Sequence, residues 1–227
     1  MGKALFITGT GTDIGKTYVT GLIVKRLKDA GFRAGYYKAA LSGAEVGADG
    51  ALLPGDALFV RRTAGLAAED ASVSYIYRDA VSPHLAAKIE SRPVDFDKVE
   101  RDFFAAKERF DYLTVEGSGG IICPLRWDEK EHVVLDDLIV RLQLSALVIA
   151  DAGLGTINAA VLTAEHLKMR EIPLAGFIFN HWQAGDRMQE DNKKMVEEMT
   201  GAPVLACVEK GAKDLPLAAD ALAALYA

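Results

Sequence analysis

A doubly wound α/β fold on a mainly parallel sheet is predicted by this sequence, on three observations. Short runs such as ALVIA (146–150) and LAGFIF (174–179) are apolar throughout, as strands covered on both faces of a parallel sheet must be. Longer segments between such runs repeat apolar residues at helical spacing. The two kinds of segment alternate along the chain, which is how βαβ crossovers are built.

Taken in order, strands are predicted at Ala4–Thr8, Gly35–Lys38, Tyr112–Glu116, Ala146–Asp151, Leu174–Asn180 and Val204–Cys207. After the first, Val19, Leu22, Ile23, Leu27 and Ala30 share one helical face, and Gly31 follows as a stop. Ile157, Ala160, Val161, Ala164 and Leu167 form a second stripe, with Thr156 expected as its N-cap. Further helices are expected near Asp56–Ala64, Phe96–Arg109, Arg187–Met199 and Leu217–Tyr226. The Gly- and Ala-rich stretch Gly43–Gly55 is expected to be a mobile loop at the mouth of a site. No repeat, linker or domain boundary interrupts this order, so a single domain over 1–227 is expected.

Composition narrows the function. The 227 residues are 50% hydrophobic and 26% charged, enough for a sizeable core. The net charge of -6 argues against nucleic acid or an anionic membrane as the main partner, while leaving room for a local basic pocket. Two cysteines, Cys123 and Cys207, and four histidines show no CxxC, HxxxH or HExxH spacing, so no disulfide framework or zinc site is expected. The opening apolar run Ala4–Ile7 is too short for a signal-peptide core. Phe6 stands where myristoylation of Gly2 would need Ser or Thr. No stretch reaches the roughly 20 apolar residues of a membrane span. A soluble protein of the reducing cytoplasm is expected.

The strongest local signal is the run from Phe6 to Thr17, FITGTGTDIGKT, in which a buried strand enters a Gly/Thr loop and GKT opens an amphipathic helix. Free N–H groups at such a helix start, aided by the helix dipole, cradle phosphate. Lys16 is placed to reach the terminal phosphates and Thr17 to ligate Mg²⁺. The strict pattern has four residues between its first glycine and GK, whereas five separate Gly9 from Gly15 here. A plain Gly-rich turn with an incidental GKT is the competing reading. The flanking strand and helix favour phosphate, and with it a P-loop nucleotide-binding fold.

Two carboxylates are candidates to complete a metal site. Glu116 ends the apolar strand YLTVE and precedes Gly117-Ser118-Gly119-Gly120 at the carboxyl edge of the sheet, where ligands of open α/β folds bind. Asp56 opens a helical segment after Pro54-Gly55 and reads equally as a helix N-cap. Asp151, also ending a buried strand, competes for the same role. Lys38, at the end of a strand, is either a phosphate-neutralising cation or a solvated lysine.

In order along the chain, GTGTDIGKT (9–17), YYKAALSG (36–43), GDAL (55–58), SPHLAA (82–87), VEGSGGIICPL (115–125), LGTIN (154–158) and GFIFN (176–180) resemble dethiobiotin synthetase. The five-residue loop spacing is also normal for that family, and YK…SG, SPH and VEGxGG together are far more specific than the loop alone. The resemblance implies an ATP- and Mg²⁺-dependent cyclo-ligase acting on 7,8-diaminononanoate (DAPA) and CO₂. A carbamate forms on one amine, ATP phosphorylates it, and the second amine closes a ureido ring, releasing ADP and phosphate. Carried over by position, Asp13, Ile14, Gly15, Lys16, Thr17 and Tyr18 hold the nucleotide, together with Gly117, Ser118 and Gly119. Thr17, Asp56 and Glu116 hold Mg²⁺. Thr12, Lys38, Ser42 and Gly119 contact the carbamate end of the substrate, with Lys38, Lys16 and Thr12 taking the catalytic roles. Asn180 reads the base edge, assisted by Val208, Glu209 and Lys210. Thr156, Ile157 and Asn158, at a helix start supplied by a neighbouring subunit, seat the far carboxylate of the substrate, so a homodimer is implied.

The resemblance has departures. Ala39 stands where the family has Pro, Ala159 where His commonly follows the IN pair, and Asn192 where an aromatic holds the substrate tail; the 208–210 segment lacks an Ile-Pro pair. The chemistry nevertheless fits the residues present. Carbamate and γ-phosphate are both anionic, and convergent Lys16, Lys38 and Mg²⁺ answer their repulsion. A carbamate oxygen is already a nucleophile, so no His/Asp base is needed, and His84 in SPH is expected to cap an element or line the site. Among rival readings, an amidotransferring synthetase lacks room for its glutaminase domain. A partitioning-type ATPase switch would carry a signature lysine at position 11, which is Gly11, and often a basic terminal helix. A nucleotide-binding scaffold without catalysis is opposed by intact Lys16, Thr17, Asp56 and Glu116.

Overall fold

A computed structural model describes residues 2–227. The elements run β1 (Lys3–Gly9), α1 (Lys16–Asp29), β2 (Ala34–Leu41), β3 (Glu45–Val46), β4 (Leu52–Leu53), α2 (Gly55–Ala64), β5 (Ala71–Ile76), α3 (Pro83–Ile89), α4 (Phe96–Arg109) and β6 (Tyr112–Glu116). They continue with β7 (Pro124–Trp127), β8 (His132–Val134), α5 (Leu135–Arg141), β9 (Ala146–Asp151), α6 (Thr156–Met169), β10 (Leu174–Trp182), α7 (Arg187–Thr200), β11 (Val204–Glu209) and α8 (Ala219–Ala223).

Seven strands form one sheet in the order β11-β10-β9-β1-β6-β2-β5, and every pairing is parallel. The uniform apolarity of the central strands has its cause in this arrangement. Ala4 and Phe6 of β1, with Ala146, Val148 and Ala150 of β9, face a core completed by α4, α5 and α6. The intervening Leu5, Ile7, Leu147 and Ile149 face a second core completed by α1, α2 and α8. From β1 the chain crosses to β2 and β5, and from β9 it crosses the other way to β10 and β11. Crossovers leaving in opposite directions open a crevice at the carboxyl edge between β1 and β9.

Several expectations change in detail. β5 (ASVSYI) escaped notice because it is an edge strand paired only with β2, half-buried and carrying two serines. α3 and α5, at seven residues each, are too short to display a helical period. The helix expected over Leu217–Tyr226 covers only Ala219–Ala223, because the tail turns away to pair Ala227 with Ala4 through both backbone groups. Gly43–Gly55 holds the small antiparallel hairpin of β3 and β4. Thr156 is not the cap of α6; Gly155 is, in a left-handed conformation at φ 92°, and Thr156 is the first helical residue. Asp56 is not the cap of α2 either, since Pro54 holds that position and Asp56 lies in the first turn. β2 runs three residues beyond Lys38 to Leu41, so Lys38 is an interior strand residue and only 4% exposed. That burial removes the solvated-lysine reading.

Candidate active site

The carboxyl edge beside β1 holds a cavity of about 320 Å³. The loop leaving β1 contributes Thr12, Asp13 and Gly15, and the first turn of α1 adds Lys16 and Thr17. Lys38, Leu41 and Ser42 come from β2 and its end, Asp56 from α2, and Glu116, Ser118 and Gly119 from β6 and the turn after it. The turn into α1 is fixed by Gly15, at φ 84°, where a Cβ would fall 2.1 Å from the Asn180 amide nitrogen. α1 has no side-chain cap, so its first N–H groups remain open to an anion.

The charged groups are tightly arranged. Lys38 Nζ donates to Asp56 Oδ2 at 2.6 Å and to Glu116 Oε1 at 2.9 Å. Thr17 Oγ1 donates to the same Glu116 oxygen at 2.7 Å, and Tyr36 donates its hydroxyl to Oε2 at 3.1 Å. Lys16 Nζ donates to the Gly11 carbonyl at 2.6 Å. Burial, then the neighbouring charge of Lys38, hold the Lys16 pKa below the ordinary lysine value. Burial also opposes the charge on Lys38, but Glu116 and Asp56 together outweigh it and raise its pKa. The Cys123 thiol is pushed up by burial, against the pull of Lys16 and Lys38, so a thiolate is disfavoured at neutral pH.

Thr17, Asp56 and Glu116 offer a hydroxyl and two carboxylates, a hard-oxygen set suited to Mg²⁺ shared with phosphates. Among the described residues no cluster of three or more His, Cys, Asp or Glu side chains forms. Asp151 does not compete: its Oδ2 pairs with His181 Nδ1 at 2.6 Å and its Oδ1 accepts from the Gly153 N–H at 2.7 Å.

A second, smaller pocket of about 230 Å³ opens beside the loop, lined by Gly15, Tyr18, Asn180, His181, Lys210 and Gly211. Asn180 is 1% exposed. Its amide donates to the Ile14 carbonyl at 2.9 Å, and its Oδ1 has no partner among the described residues. Glu209 and Lys210 line an adjoining open groove with His181 and Trp182.

Some expected residues sit elsewhere. Val208 is buried in the core behind Asn180, so its side chain faces neither pocket. Gly117 is a packing position, where a Cβ would lie 2.8 Å from Leu135. The Ile14 carbonyl is engaged by the Asn180 amide. Thr156, Ile157 and Asn158 begin α6 and do not line the cavity of their own chain. Asn192 points into the protein, donating to the Ala152 and Gly153 carbonyls at 2.9 and 3.0 Å. His84 lines a separate cavity of about 320 Å³ with Arg126 and Trp127, away from Lys38. Tyr36 and His181 escaped the sequence reading. The only signal for Tyr36 was its place two residues before Lys38, hence on the same strand face.

A buried strand, an uncapped glycine-led helix start and a lysine-threonine pair facing two carboxylates define a P-loop nucleotide-binding protein. A family model described as an AAA domain matches residues 3–213. The chain is 49% identical over 212 residues to the ATP-dependent dethiobiotin synthetase BioD of Brachyspira hyodysenteriae, covering 93% of this chain and 94% of the relative. It is 44% identical over 227 residues to the enzyme of the same name from Clostridium botulinum strain Langeland, covering 100% and 99%. The chain belongs to the dethiobiotin synthetase family. Among solved structures it is similar to a ParA family ATPase from Chlorobium tepidum, with a TM-score of 0.57, 14% identity and coverage of 92% and 85%. It is likewise similar to the MinC:MinD complex of Aquifex aeolicus, with 0.56, 13%, 93% and 83%. These two likenesses show the fold alone.

Proposed function

We propose that this chain, as one domain over 1–227, is an ATP-dependent dethiobiotin synthetase that closes the ureido ring of dethiobiotin from DAPA, CO₂ and ATP. The observation that carries the reading is the convergence of Lys16, Thr17, Lys38, Asp56 and Glu116 on one cavity, on a chain 49% identical to a synthetase of that name.

The α1 N–H groups and Lys16 hold the triphosphate, with Asp13, Gly15 and the Gly117–Gly119 turn around it. Asn180 offers its unpartnered Oδ1 to the exocyclic amine of adenine, beside Tyr18 and Lys210. Mg²⁺, held by Thr17, Asp56 and Glu116, supplies neutralisation of the phosphate oxygens. Thr12, Ser42 and Gly119 seat the carbamate, and Lys38 balances its charge. A carbamate oxygen attacks the γ-phosphorus as the bond to ADP breaks. The second amine then attacks the carbonyl carbon, loses its proton and displaces phosphate. Lys38 and Lys16 stabilise the negative charge crowded at the transferring group, which for phosphoryl transfer is most of what a site must do.

The substrate's distal carboxylate is seated by Thr156, Ile157 and Asn158 of a second subunit. A homodimer is supported by exposed apolar residues in the turn before this helix and along it: Leu154 is 91%, Leu162 60% and Met169 71% exposed. Among the described residues no helix is long and apolar enough to cross a membrane. Both cysteines are free, which fits a cytoplasmic location, and the substrates of the proposed reaction are small molecules.

ADP release measured with and without DAPA and bicarbonate tests the reading. A synthetase couples release to both compounds. A partitioning-type switch, the alternative within this fold, hydrolyses ATP regardless of either.

A further inference from the structure

We infer that Tyr36 is a positioning residue for the cation site, acting through Glu116. The inference rests on the reading above that Glu116 is a metal ligand. Glu116 is 2% exposed, so each carboxylate oxygen must find its partners within the protein. Oε1 faces the cavity and receives Thr17 and Lys38. Oε2, among the described residues, accepts from Tyr36, which is not among the residues lining the cavity.

Tyr36 is fully buried on β2, and its hydroxyl has no other hydrogen-bond partner among the described residues. The register explains the contact. Lys38 lies opposite Glu116 across the β2–β6 pairing, and Tyr36, two residues earlier, projects from the same face. One strand face thus delivers an ammonium to one oxygen of the carboxylate and a phenol to the other.

The two donors differ in what cation binding does to them. A cation reaching Oε1 competes with the Lys38 and Thr17 hydrogen bonds, whereas the Tyr36 bond lies on the far oxygen and persists. It fixes the carboxylate's rotation with Oε1 presented to the cavity. Outer partners that orient a metal-bound carboxylate in this way tune affinity without touching the metal.

Mn²⁺ binding to the full chain with saturating ADP, read from the free-ion EPR signal, tests this. Tyr36→Phe is expected to weaken Mn²⁺ binding about tenfold, the lower end of what losing such a partner costs. The Mg²⁺ concentration for half-maximal turnover should rise in step, with kcat at saturating Mg²⁺ little changed. Tyr226→Phe is the control for simple loss of a buried hydroxyl, since Tyr226 shares a 2.7 Å hydrogen bond with Thr114 on the same strand as Glu116. It should leave Mn²⁺ affinity as in the wild type. Equal Mn²⁺ affinity for Tyr36→Phe and wild type overturns the inference while leaving Glu116 a ligand. Equal weakening by both variants also overturns it, as a general effect of loosening β6. Mn²⁺ binding unaffected by Glu116→Gln overturns the metal reading itself, and the inference with it.

Discussion

Two helix starts, at α1 and at α6, are built alike and differ in what surrounds them. Each follows a strand of the sheet centre, and the two strands, β1 and β9, are neighbours. Each is led by a left-handed glycine, Gly15 at φ 84° and Gly155 at φ 92°, with no side-chain cap. Both therefore offer unpaired N–H groups to an anion. Around α1, however, the chain supplies Lys16, Lys38, Asp56 and Glu116, and the start lines a cavity. Around α6 no lysine or arginine occupies the turn, Thr156 Oγ1 has no partner among the described residues, and Leu154 stands 91% exposed beside it. A helix start becomes a phosphate site through the side chains that surround it. On the proposal above, the first is complete within one chain and the second is half of a site that a partner completes.

The largest effect that would separate the two starts is expected at Lys38. Lys38→Met should cut kcat by on the order of 10²–10³, the cost of losing one electrostatic contact to a transition state. The KM for ATP should move little, because Lys16 and the loop amides still hold the triphosphate. Lys38→Arg should restore only part of the rate, since a planar fork does not replace a compact ammonium in a tight site. Steady-state kinetics at saturating DAPA and bicarbonate decide it.

Thr17→Val, Asp56→Asn and Glu116→Gln follow, each lowering turnover at limiting Mg²⁺ by on the order of 10². Their double variants should lose less than the sum, because the three groups act as one unit. Normal activity of Asp56→Asn at limiting Mg²⁺ would return Asp56 to a structural role. At the other start, Asn158→Asp sets a carboxylate against the substrate's own. The KM for DAPA should rise by on the order of 10²-fold, the several kcal/mol of a like-charge contact, with the KM for ATP unchanged.

Smaller effects come from the base pocket and from pH. ATP should be used in preference to GTP and CTP, and Asn180→Ala should reduce that preference about tenfold, the worth of one hydrogen bond. Competition among the three nucleotides measures it. Lys16 loses its proton below the ordinary lysine pKa of 10.5 and Lys38 above it. As pH rises, the KM for ATP should therefore climb before kcat falls. The sign for stability is opposite at the two lysines. The ion pairs of Lys38 stabilise fully below 10.5 and are lost as pH rises through its raised pKa. Burial of charged Lys16 costs stability below its lowered pKa, and that cost is relieved above it.

Much of this was legible in the sequence. The central strands declared themselves because both faces are covered, and Tyr112–Glu116 and Ala146–Asp151 match residue for residue. Thr17 was put forward by motif and Glu116 by edge position, while Asp56 and Lys38, ambiguous by position, were raised by the resemblance; all four line one cavity. What escaped lacks a local signal. β5 is a half-polar edge strand, α3 and α5 are shorter than the period needed to see them, and Tyr36 meets Glu116 only through strand register. Gly155 displaced Thr156 as the α6 cap because a left-handed turn residue was needed, a backbone requirement that a capping preference does not encode.

That the start of α6 serves the site of another subunit is tested most directly by co-expressing Lys38→Met with Asn158→Asp, each nearly inactive alone at low DAPA. In a mixed dimer one site receives both substitutions and the other receives neither. Activity should return to about a quarter of the wild-type level, since half the dimers are mixed and each has one intact site. No recovery, with mixed dimers demonstrably formed, would place Lys38 and Asn158 in the same chain's site and contradict the account.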